Sequence, residues 1–284
     1  MICLLKGINQ WCYPDGTPLE KVFEYSKEAE FDAVELNLNP VGGIGLTMET
    51  TASEAQDIRK LASSYDLTLK SLSTSLLWKF PLSSPDEEVR RQGKNVVIKQ
   101  LELANIMGMD SVLVVPGAVS SETSYSDCYE RSQNELKEVL EVAERFSVKI
   151  GIENVWNKFL LSPLEMARYI DELGSEYAKA YFDVGNVLQF GFPEQWIKTL
   201  GDRITKIHVK DFNTKVGNIT GFVPLLAGDV NWPAVKKALD EIGYTDTITA
   251  EISPYASSPK QAAIDTANQM DIILAKDVLL KEEV

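Results

Sequence analysis

The sequence predicts an α/β fold, a (β/α)₈ TIM barrel built as a single domain over residues 1–284. The length of 284 residues suits one such barrel, which typically takes about 250 residues. Eight short apolar runs alternate with eight longer amphipathic stretches, which is the order expected of successive β/α units. An open doubly wound sheet is the alternative, but no G-x-G-x-x-G pattern follows the first apolar run.

The strands are predicted from short runs of β-branched and other apolar residues. Val112–Val115 is apolar throughout, which is typical of a parallel strand covered by helices. Gly42–Gly45 follows the second strand and is interpreted as a flexible loop. The predicted strands span Leu4–Trp11, Ala33–Asn37, Leu67–Thr74, Ser111–Pro116, Val148–Asn154, Ala178–Asp183, Ile204–Lys210 and Thr247–Ile252.

The helices are predicted from the amphipathic stretches between these strands. Ser53 and Gln56 form a capping-box pattern, and Ser162 precedes Pro163 as a candidate N-cap. The predicted helices span Pro18–Glu30, Ser53–Tyr65, Pro85–Met107, Tyr125–Phe146, Pro163–Leu173, Pro193–Leu200, Trp232–Ile242 and Pro259–Lys276.

Composition narrows the classes of partner and compartment. The 42 acidic against 28 basic residues give a net charge of −14, and no Lys/Arg run offers a nucleic acid a binding patch. The three cysteines, Cys3, Cys12 and Cys128, form no C-x-x-C pair, which favours a reducing compartment. The apolar run Ile2–Leu5 is too short for a signal peptide, and no segment approaches the ~20 apolar residues of a membrane span. We therefore expect a cytoplasmic protein without membrane or nucleic-acid partners.

Four consecutive predicted strands each bring one side chain that can bind a metal to the same region. In strand order these are Glu153, Asp183, His208 and Glu251. Active sites of such barrels lie at the C-terminal ends of the strands, so the four are expected at one rim. Unpaired charges there would be costly, and one divalent cation bound by all four would offset that cost. Three carboxylates and an imidazole suit Mn²⁺ best, with Mg²⁺, Co²⁺ or Zn²⁺ as alternatives.

Each of these residues taken alone has a structural alternative. A single carboxylate at a strand end is more often a helix cap or surface ion pair, and a lone histidine is more often structural. His208, however, is the only histidine in the chain and falls on the strand that the metal site requires. The coincidence of four ligand types at one rim therefore favours the metal site.

Three segments carry a resemblance to a known family. They are Phe80–Ser84 with Arg90–Gly93, Asp183–Asn186 after the sixth strand, and His208–Asp211 at the seventh. In these segments and their order, the chain resembles the sugar phosphate isomerase/epimerase superfamily of xylose-isomerase-like barrels over essentially its whole length. It is most similar to the ketose 3-epimerases, including L-ribulose-5-phosphate and L-xylulose-5-phosphate 3-epimerases.

The resemblance implies a metal-dependent epimerase that inverts C3 of a ketose or ketose phosphate through an enediolate. It implies that one metal ion is held by Glu153, Asp183, His208 and Glu251. In that family the metal binds the C2 carbonyl oxygen and the C3 hydroxyl oxygen. Glu153 and Glu251 would then act as acid and base on opposite faces of C3, and a homo-oligomer is expected by analogy alone.

Two departures from the family pattern concern substrate contacts. Asn186 stands where many relatives have a histidine; it can hydrogen-bond a sugar hydroxyl but cannot carry a proton. Relatives that act on free sugars often have an arginine after the strand-seven histidine, whereas here the nearby cations are Lys210 and Lys215.

Further residues are weaker candidates for substrate binding. Lys210 is expected on the same side of its strand as His208, either contacting the substrate or pairing with Asp211 or another carboxylate. Trp11 and Trp156 are candidates for apolar walls, although aromatic residues are more often core. Glu35 and Asn37 at the end of the second strand could order the pocket or belong to a structural network. Lys79, Arg90 and Arg91 could contact a phosphate or be solvated surface charges. The segment Asn213–Val230 could be a lid over the barrel or a static loop.

Four other functions fit the predicted barrel less well. An aldose–ketose isomerase similar to hydroxypyruvate isomerase would use the same residues and move the proton between C1 and C2. A sugar dehydratase could share the enediolate. A nuclease similar to endonuclease IV would need several histidines and a basic face, and a non-catalytic binding barrel would not need the four ligand types.

Overall fold

Eight parallel strands form a closed barrel in a computed structural model that describes residues 4–274. Each strand pairs with its sequence neighbours, and the first strand pairs with both the second and the eighth, which closes the sheet. The predicted (β/α)₈ TIM barrel is therefore confirmed. The strands are β1 (Leu5–Asn9), β2 (Ala33–Asn39), β3 (Ser71–Thr74), β4 (Ser111–Val114), β5 (Lys149–Glu153), β6 (Ala178–Asp183), β7 (Ile204–Val209) and β8 (Thr247–Ala250).

One long helix follows each strand and covers the outside of the barrel. The helices are α1 (Leu19–Glu28), α2 (Ala52–Ser64), α3 (Glu87–Met107), α4 (Tyr125–Phe146), α5 (Pro163–Glu172), α6 (Pro193–Leu200), α7 (Trp232–Glu241) and α8 (Pro259–Leu274). Two short helices, Leu76–Lys79 and Val184–Val187, follow β3 and β6. No helix within residues 4–274 is both long and apolar enough to cross a bilayer.

Helix caps explain where several helices begin. Ser162 caps α5 by accepting a hydrogen bond from the Glu165 amide, as predicted. The predicted cap of α2 is wrong by two residues, because Thr51 rather than Ser53 occupies the N-cap. Its hydroxyl accepts from the Glu54 amide while the Glu54 carboxylate accepts from the Thr51 amide, which completes a capping box.

Several predicted strands are too long at one end. The first ends at Asn9, because the Asn9 side chain accepts from the Trp11 amide and starts a 3₁₀ turn, Gln10–Cys12. The third begins at Ser71, and Thr68 makes only one isolated bridge with Ala33. Cys3, Ile2 and the predicted helix end at Lys276 lie outside the described residues.

Apolar and polar side chains alternate along the strands, which divides the buried interior into two layers. Leu36 and Ile207 are fully buried, and they alternate with Glu35 and His208. Glu35 on β2 contacts His208 on β7 although these strands are not neighbours, so both side chains point into the barrel. The apolar core therefore lies between strands and helices, and a polar network fills part of the barrel interior.

Two further strand pairings lie at the C-terminal rim, one with β2 of the barrel and one within the segment after β7. Leu46–Thr47 extends the sheet beside β2, after the turn that contains Gly42–Gly45. Asp211–Phe212 pairs in antiparallel fashion with Phe222–Val223. The second pair folds the long segment after β7 back over the rim, where the site lies.

Candidate metal centre

The four side chains predicted as metal ligands converge at the C-terminal rim of the barrel. Glu153 and Asp183 are the last residues of β5 and β6, His208 lies in β7, and Glu251 directly follows β8. One donor atom of each lies within 4.8 Å of the others. This oxygen-rich set with one imidazole is compatible with a divalent metal ion.

Two buried atoms of the cluster make no hydrogen bond, although a charged side chain lies within 3.1 Å of each, and a bound metal ion would give both a partner. They are Nδ1 of His208 and Oδ2 of Asp183, and both side chains are fully buried. Nδ1 of His208 lies 3.0 Å from Glu251 Oε2 and 3.9 Å from Glu153 Oε1. Because buried polar atoms are rarely left unpaired, this geometry fits ligands that face a cation.

A second layer of polar side chains holds His208 from behind. Its Nε2 lies 2.5 Å from Glu35 Oε2, so a proton on Nε2 leaves the Nδ1 lone pair facing the cluster. Glu35 also accepts hydrogen bonds from Asn9 Nδ2 at 2.5 Å, from the Ser71 hydroxyl at 2.7 Å and from the Tyr181 hydroxyl. The sequence left open whether Glu35 orders the pocket or belongs to a structural network, and the structure places it in direct contact with His208.

The electrostatics of the cluster separate its two glutamates. Burial raises the pKa of Glu153 to about 7. Burial also acts to raise the pKa of Glu251, but the Lys210 and His208 charges outweigh it and lower that pKa to about 2. In the metal-free protein, burial lowers the pKa of His208, but Glu35 and the two glutamates raise it well above its usual range, so a metal ion that binds Nδ1 would have to displace a proton. Two carboxyls with pKa values pushed apart are what paired acid and base chemistry requires.

A short helix positions Asp183 and Asn186. The Asp183 carboxylate caps Val184–Val187 by accepting from the Asn186 amide at 2.8 Å, and its backbone amide donates to Asn154 Oδ1 at 2.8 Å. Asn186 Nδ2 in turn donates to the Asn154 carbonyl at 3.0 Å. Gly185 packs so closely against Lys210 that a Cβ at this position would overlap the lysine stem and backbone.

Lys210 points into the site and pairs with two members of the cluster. Its Nζ lies 3.1 Å from Asp183 Oδ2 and 3.0 Å from Glu251 Oε2. Of the predicted alternative, an ion pair with Asp211 or another carboxylate, the second part is confirmed, because the Asp211 carboxylate instead accepts from the Phe212 and Val230 amides and the Trp232 indole. Burial lowers the pKa of Lys210, but the neighbouring carboxylates raise it above its usual value, which keeps the ammonium charged.

A cavity of about 860 Å³ opens above the cluster. Asn186, Lys210 and Glu251 form its polar floor. Aromatic side chains supply much of its wall, and Trp11 and Trp156, predicted as apolar walls, are among them. The others are Trp78, Phe222 and Tyr255. Such a volume lies within the ~300–1,000 Å³ typical of small-molecule sites, and apolar walls around a few polar groups are their usual lining.

The segment Asn213–Val230, predicted as a lid or a static loop, is fastened at both ends. The Asp211 carboxylate accepts hydrogen bonds from the Val230 amide and the Trp232 indole at the far end of the segment. The Asp229 amide donates a hydrogen bond to the Phe212 carbonyl at 2.9 Å. This arrangement holds Ile219–Pro224 in the cavity wall.

The cations considered as phosphate contacts do not line this cavity. Arg90 donates to Glu135 Oε1 at 2.7 Å and to the Ser84 carbonyl at 2.8 Å. Arg91 makes a bidentate pair with Glu88. Lys79 lies over the Phe80 ring and lines a separate cavity. The phosphate interpretation of these three residues is therefore not supported by their positions, which are set by nearer partners.

Several residues of the site were not singled out in the sequence. Trp78, Phe222 and Tyr255 line the cavity from the segments after β3, β7 and β8. Their position after strand ends was the one available signal, and it does not distinguish them from other loop residues. Tyr181, Ser71 and Asn9 belong to the layer behind His208, and only the closed barrel brings them to Glu35.

Comparisons with known proteins agree with this geometry. A family model described as xylose isomerase-like TIM barrel matches residues 23–271. L-ribulose-5-phosphate 3-epimerase UlaE of Escherichia coli (strain SMS-3-5 / SECEC) is 23% identical over 271 residues, covering 95% of this chain and 94% of that protein. Putative L-ribulose-5-phosphate 3-epimerase SgbU of Escherichia coli (strain K12) is 24% identical over 231 residues, covering 80% and 81%.

Solved structures of ketose epimerases share the fold. A D-psicose 3-epimerase crystallised in the presence of D-fructose superposes with a TM-score of 0.78 at 17% identity, covering 95% of this chain and 99% of that one. An L-ribulose 3-epimerase superposes with a TM-score of 0.74 at 18% identity, covering 97% and 99%. The predicted resemblance is confirmed, and the prediction of an isomerase-class enzyme agrees with relatives that are epimerases by name.

Proposed function

The chain belongs to the xylose isomerase-like TIM barrel family, and we propose that it is a metal-dependent ketose 3-epimerase. The substrate class is a small sugar, free or phosphorylated, as in the names of its relatives. The observation that carries the proposal is the convergence of Glu153, Asp183, His208 and Glu251 beneath a cavity of small-molecule size, with two buried ligand atoms that make no hydrogen bond.

Each member of the cluster has a role in this proposal. Glu153, Asp183, His208 and Glu251 would hold one divalent ion, with Mn²⁺ favoured by the donor set. The bound ion would supply Lewis-acid stabilisation of the charge that develops when a proton leaves the carbon beside a carbonyl. Asp183 and His208 are fully buried and serve as ligands, while Glu251, partly exposed to the cavity, can reach the substrate.

Proton transfer falls to the two glutamates. In the proposal one carboxylate removes the C3 proton, and the other carboxyl returns a proton to the opposite face, so the configuration inverts. The separated pKa values of Glu153 and Glu251 support a division into acid and base, although a bound cation lowers both. Lys210 stabilises the ionised form of Glu251, and Asn186 is placed to orient a sugar hydroxyl.

The test is proton NMR of ketoses incubated with the Mn²⁺-loaded protein in D₂O, followed by removal of the Mn²⁺. We expect deuterium at C3 and the appearance of the C3 epimer, with free pentuloses, their 5-phosphates and ketohexoses as substrates. Glu153→Gln and Glu251→Gln should each slow exchange at least about 100-fold, because general acid–base catalysis contributes roughly that much or more.

The control is Glu141→Gln, which changes an exposed glutamate on α4 and should leave exchange at the wild-type rate. Deuterium at C1 or C2 with formation of an aldose would make the enzyme an aldose–ketose isomerase instead. Net loss of water would indicate a dehydratase. No exchange in any ketose would contradict the proposed function.

A further inference from the structure

We propose that the site accepts an uncharged ketose and discriminates against the corresponding ketose phosphate. This inference rests on the proposed epimerase function and concerns the form of sugar that the cavity binds. Its basis is the distribution of positive charge and of aromatic surface around the cavity.

Only one cation lines the cavity among residues 4–274, and it is already paired. Lys210 Nζ lies within 3.1 Å of Asp183 Oδ2 and 3.0 Å of Glu251 Oε2, and its side chain is 12% exposed. A phosphate that recruited this ammonium would have to draw it away from two carboxylates. Lys210 is therefore committed to the cluster.

The charge of the cluster is balanced without a phosphate. A divalent ion and the Lys210 ammonium together match the three carboxylates of Glu153, Asp183 and Glu251, and Glu35 behind His208 adds a further negative charge. A phosphate dianion enclosed by this site would face no surplus positive charge. Because burying an unpaired charge is costly, the balance favours a neutral ligand.

Other cations in the loops after the strands do not line this cavity; Lys158 lines a neighbouring one that shares Trp156 and Asn186 with it. Arg90 and Arg91 pair with Glu135 and Glu88. Lys215 on the loop after β7 is exposed and does not line the cavity. A 5-phosphate on a substrate in this cavity would therefore meet no cation other than Lys210 among the described residues that line it.

Within residues 4–274, no extra α-helix between β7 and α7 or between β8 and α8 offers its N-terminus to a phosphate. Phosphate sites of this fold often use the loops after β7 and β8 together with the N-terminus of a short extra helix. Here the segment after β7 contains only the three-residue 3₁₀ turn Ile219–Gly221. After β8 the chain has no helix before α8 begins at Pro259.

The walls of the cavity suit a neutral sugar. Trp11, Trp78, Trp156, Phe222 and Tyr255 present aromatic surface around the polar floor. Aromatic rings pack well against the apolar C–H faces of a sugar but offer a phosphate dianion no compensating charge. The outer part of the site therefore favours hydroxyl and C–H groups.

The direct test compares kcat/KM for free ribulose and xylulose with their 5-phosphates, using the Mn²⁺-loaded protein and the same C3 exchange assay. We expect the better free ketose to exceed its 5-phosphate by about tenfold or more. Turnover of the phosphates in preference to the free sugars would overturn this inference and leave the epimerase function standing. Absence of exchange in all of them would overturn both.

A charge-addition pair provides the second measurement. Ile219 lines the cavity with 66% of its surface exposed, so Ile219→Lys places an unpaired cation at the mouth, and Ile219→Gln is the neutral control. The ratio of kcat/KM for phosphate to free ketose should be about tenfold higher in the lysine variant than in the glutamine variant. An equal ratio in the two variants would mean that the charge of a phosphate in the cavity is already neutralised, and would contradict the inference.

Discussion

At the residue scale, Glu35 shows how a second layer determines what a metal ligand can do. Its carboxylate accepts hydrogen bonds from His208, Asn9, Ser71 and Tyr181, all of them buried. Although burial acts against it, the His208 charge lowers the pKa of Glu35, so the carboxylate stays ionised. An ionised acceptor at Nε2 orients the imidazole and makes Nδ1 a better ligand.

Glu35→Gln should weaken metal binding without removing a ligand. The amide keeps the size of the side chain but loses its charge, and Mn²⁺ affinity should fall by about 10–100-fold. Isothermal titration of the metal-free protein with Mn²⁺ measures this, with circular dichroism as a check on folding. Glu141→Gln is the matched control on the surface. An affinity for Glu35→Gln within twofold of the wild type would contradict the positioning role.

At the element scale, the segment after β7 owes its fixed position to one buried carboxylate. Asp211 Oδ1 accepts from the Phe212 and Val230 amides, and Oδ2 accepts from Trp232 Nε1 at 3.1 Å. Gly228 packs directly against this carboxylate, where a side chain would not fit. The hydrogen bonds from Val230 and Trp232 join the beginning of the segment to the start of α7, so the wall formed by Ile219–Pro224 is held in place.

Asp211→Asn should loosen this segment while the barrel stays folded. An asparagine that keeps its oxygen on the two amides turns its own N–H groups toward the Trp232 indole N–H, so one buried donor loses its acceptor. The cost of such an unpaired group is about 1–3 kcal/mol. Hydrogen exchange should become faster in residues 212–230 relative to the strands.

The control for this experiment is Asp229→Asn, which changes a more exposed carboxylate that accepts from Thr214. It should affect exchange near Thr214 without releasing the end of the segment at Val230. Equal hydrogen-exchange rates for residues 212–230 in Asp211→Asn and the wild type would show that the segment is held by other contacts.

At the scale of the whole molecule, a buried ion cluster ties strands together at the opposite end of the barrel. Lys206 of β7 is 1% exposed and donates to Asp110 Oδ1 at 2.6 Å and Asp246 Oδ2 at 3.0 Å. Asp110 precedes β4 and Asp246 precedes β8, so the cluster joins three strands. Burial acts to raise the pKa of Asp246, but the charge of Lys206 and its hydrogen bond outweigh burial and lower that pKa below its usual range.

Asp246→Asn should destabilise the barrel at neutral pH and matter less in acid. Loss of a hydrogen bond to a charged group lowers the free energy of unfolding by about 1.5–3 kcal/mol. Because the folded-state pKa of Asp246 is lowered, its stabilisation is present above the unfolded-state pKa and is lost as the pH falls through the folded-state value. Urea unfolding of wild type and variant at pH 7 and at about pH 3 measures the difference.

The exposed pair of Asp240 with Lys236 on α7 provides the control. Asp240→Asn should change stability by less than about 1 kcal/mol, as is usual for surface ion pairs. If the two variants destabilise the protein equally at pH 7, the buried cluster does not contribute more than a surface ion pair.

The sequence by itself predicted the barrel and the candidate ligands, because both follow from local order along the chain. Apolar runs at regular intervals specify parallel strands, and the C-terminal ends of such strands meet at one rim. Glu153, Asp183, His208 and Glu251 could therefore be expected near one another before any distance was known. Strand ends were predicted less well, since side-chain hydrogen bonds such as that of Asn9 to the Trp11 amide terminate them.

Only the tertiary structure decided which side chains lie behind and around that cluster. Glu35 meets His208 across the barrel, 173 residues away in the chain, and Lys210 selects Asp183 and Glu251 rather than the adjacent Asp211. Periodicity predicts the face of a strand on which a side chain lies but not its partner on a distant strand. That choice depends on closure of the barrel, because closure brings buried charges within reach of one another and excludes the water that would otherwise solvate them.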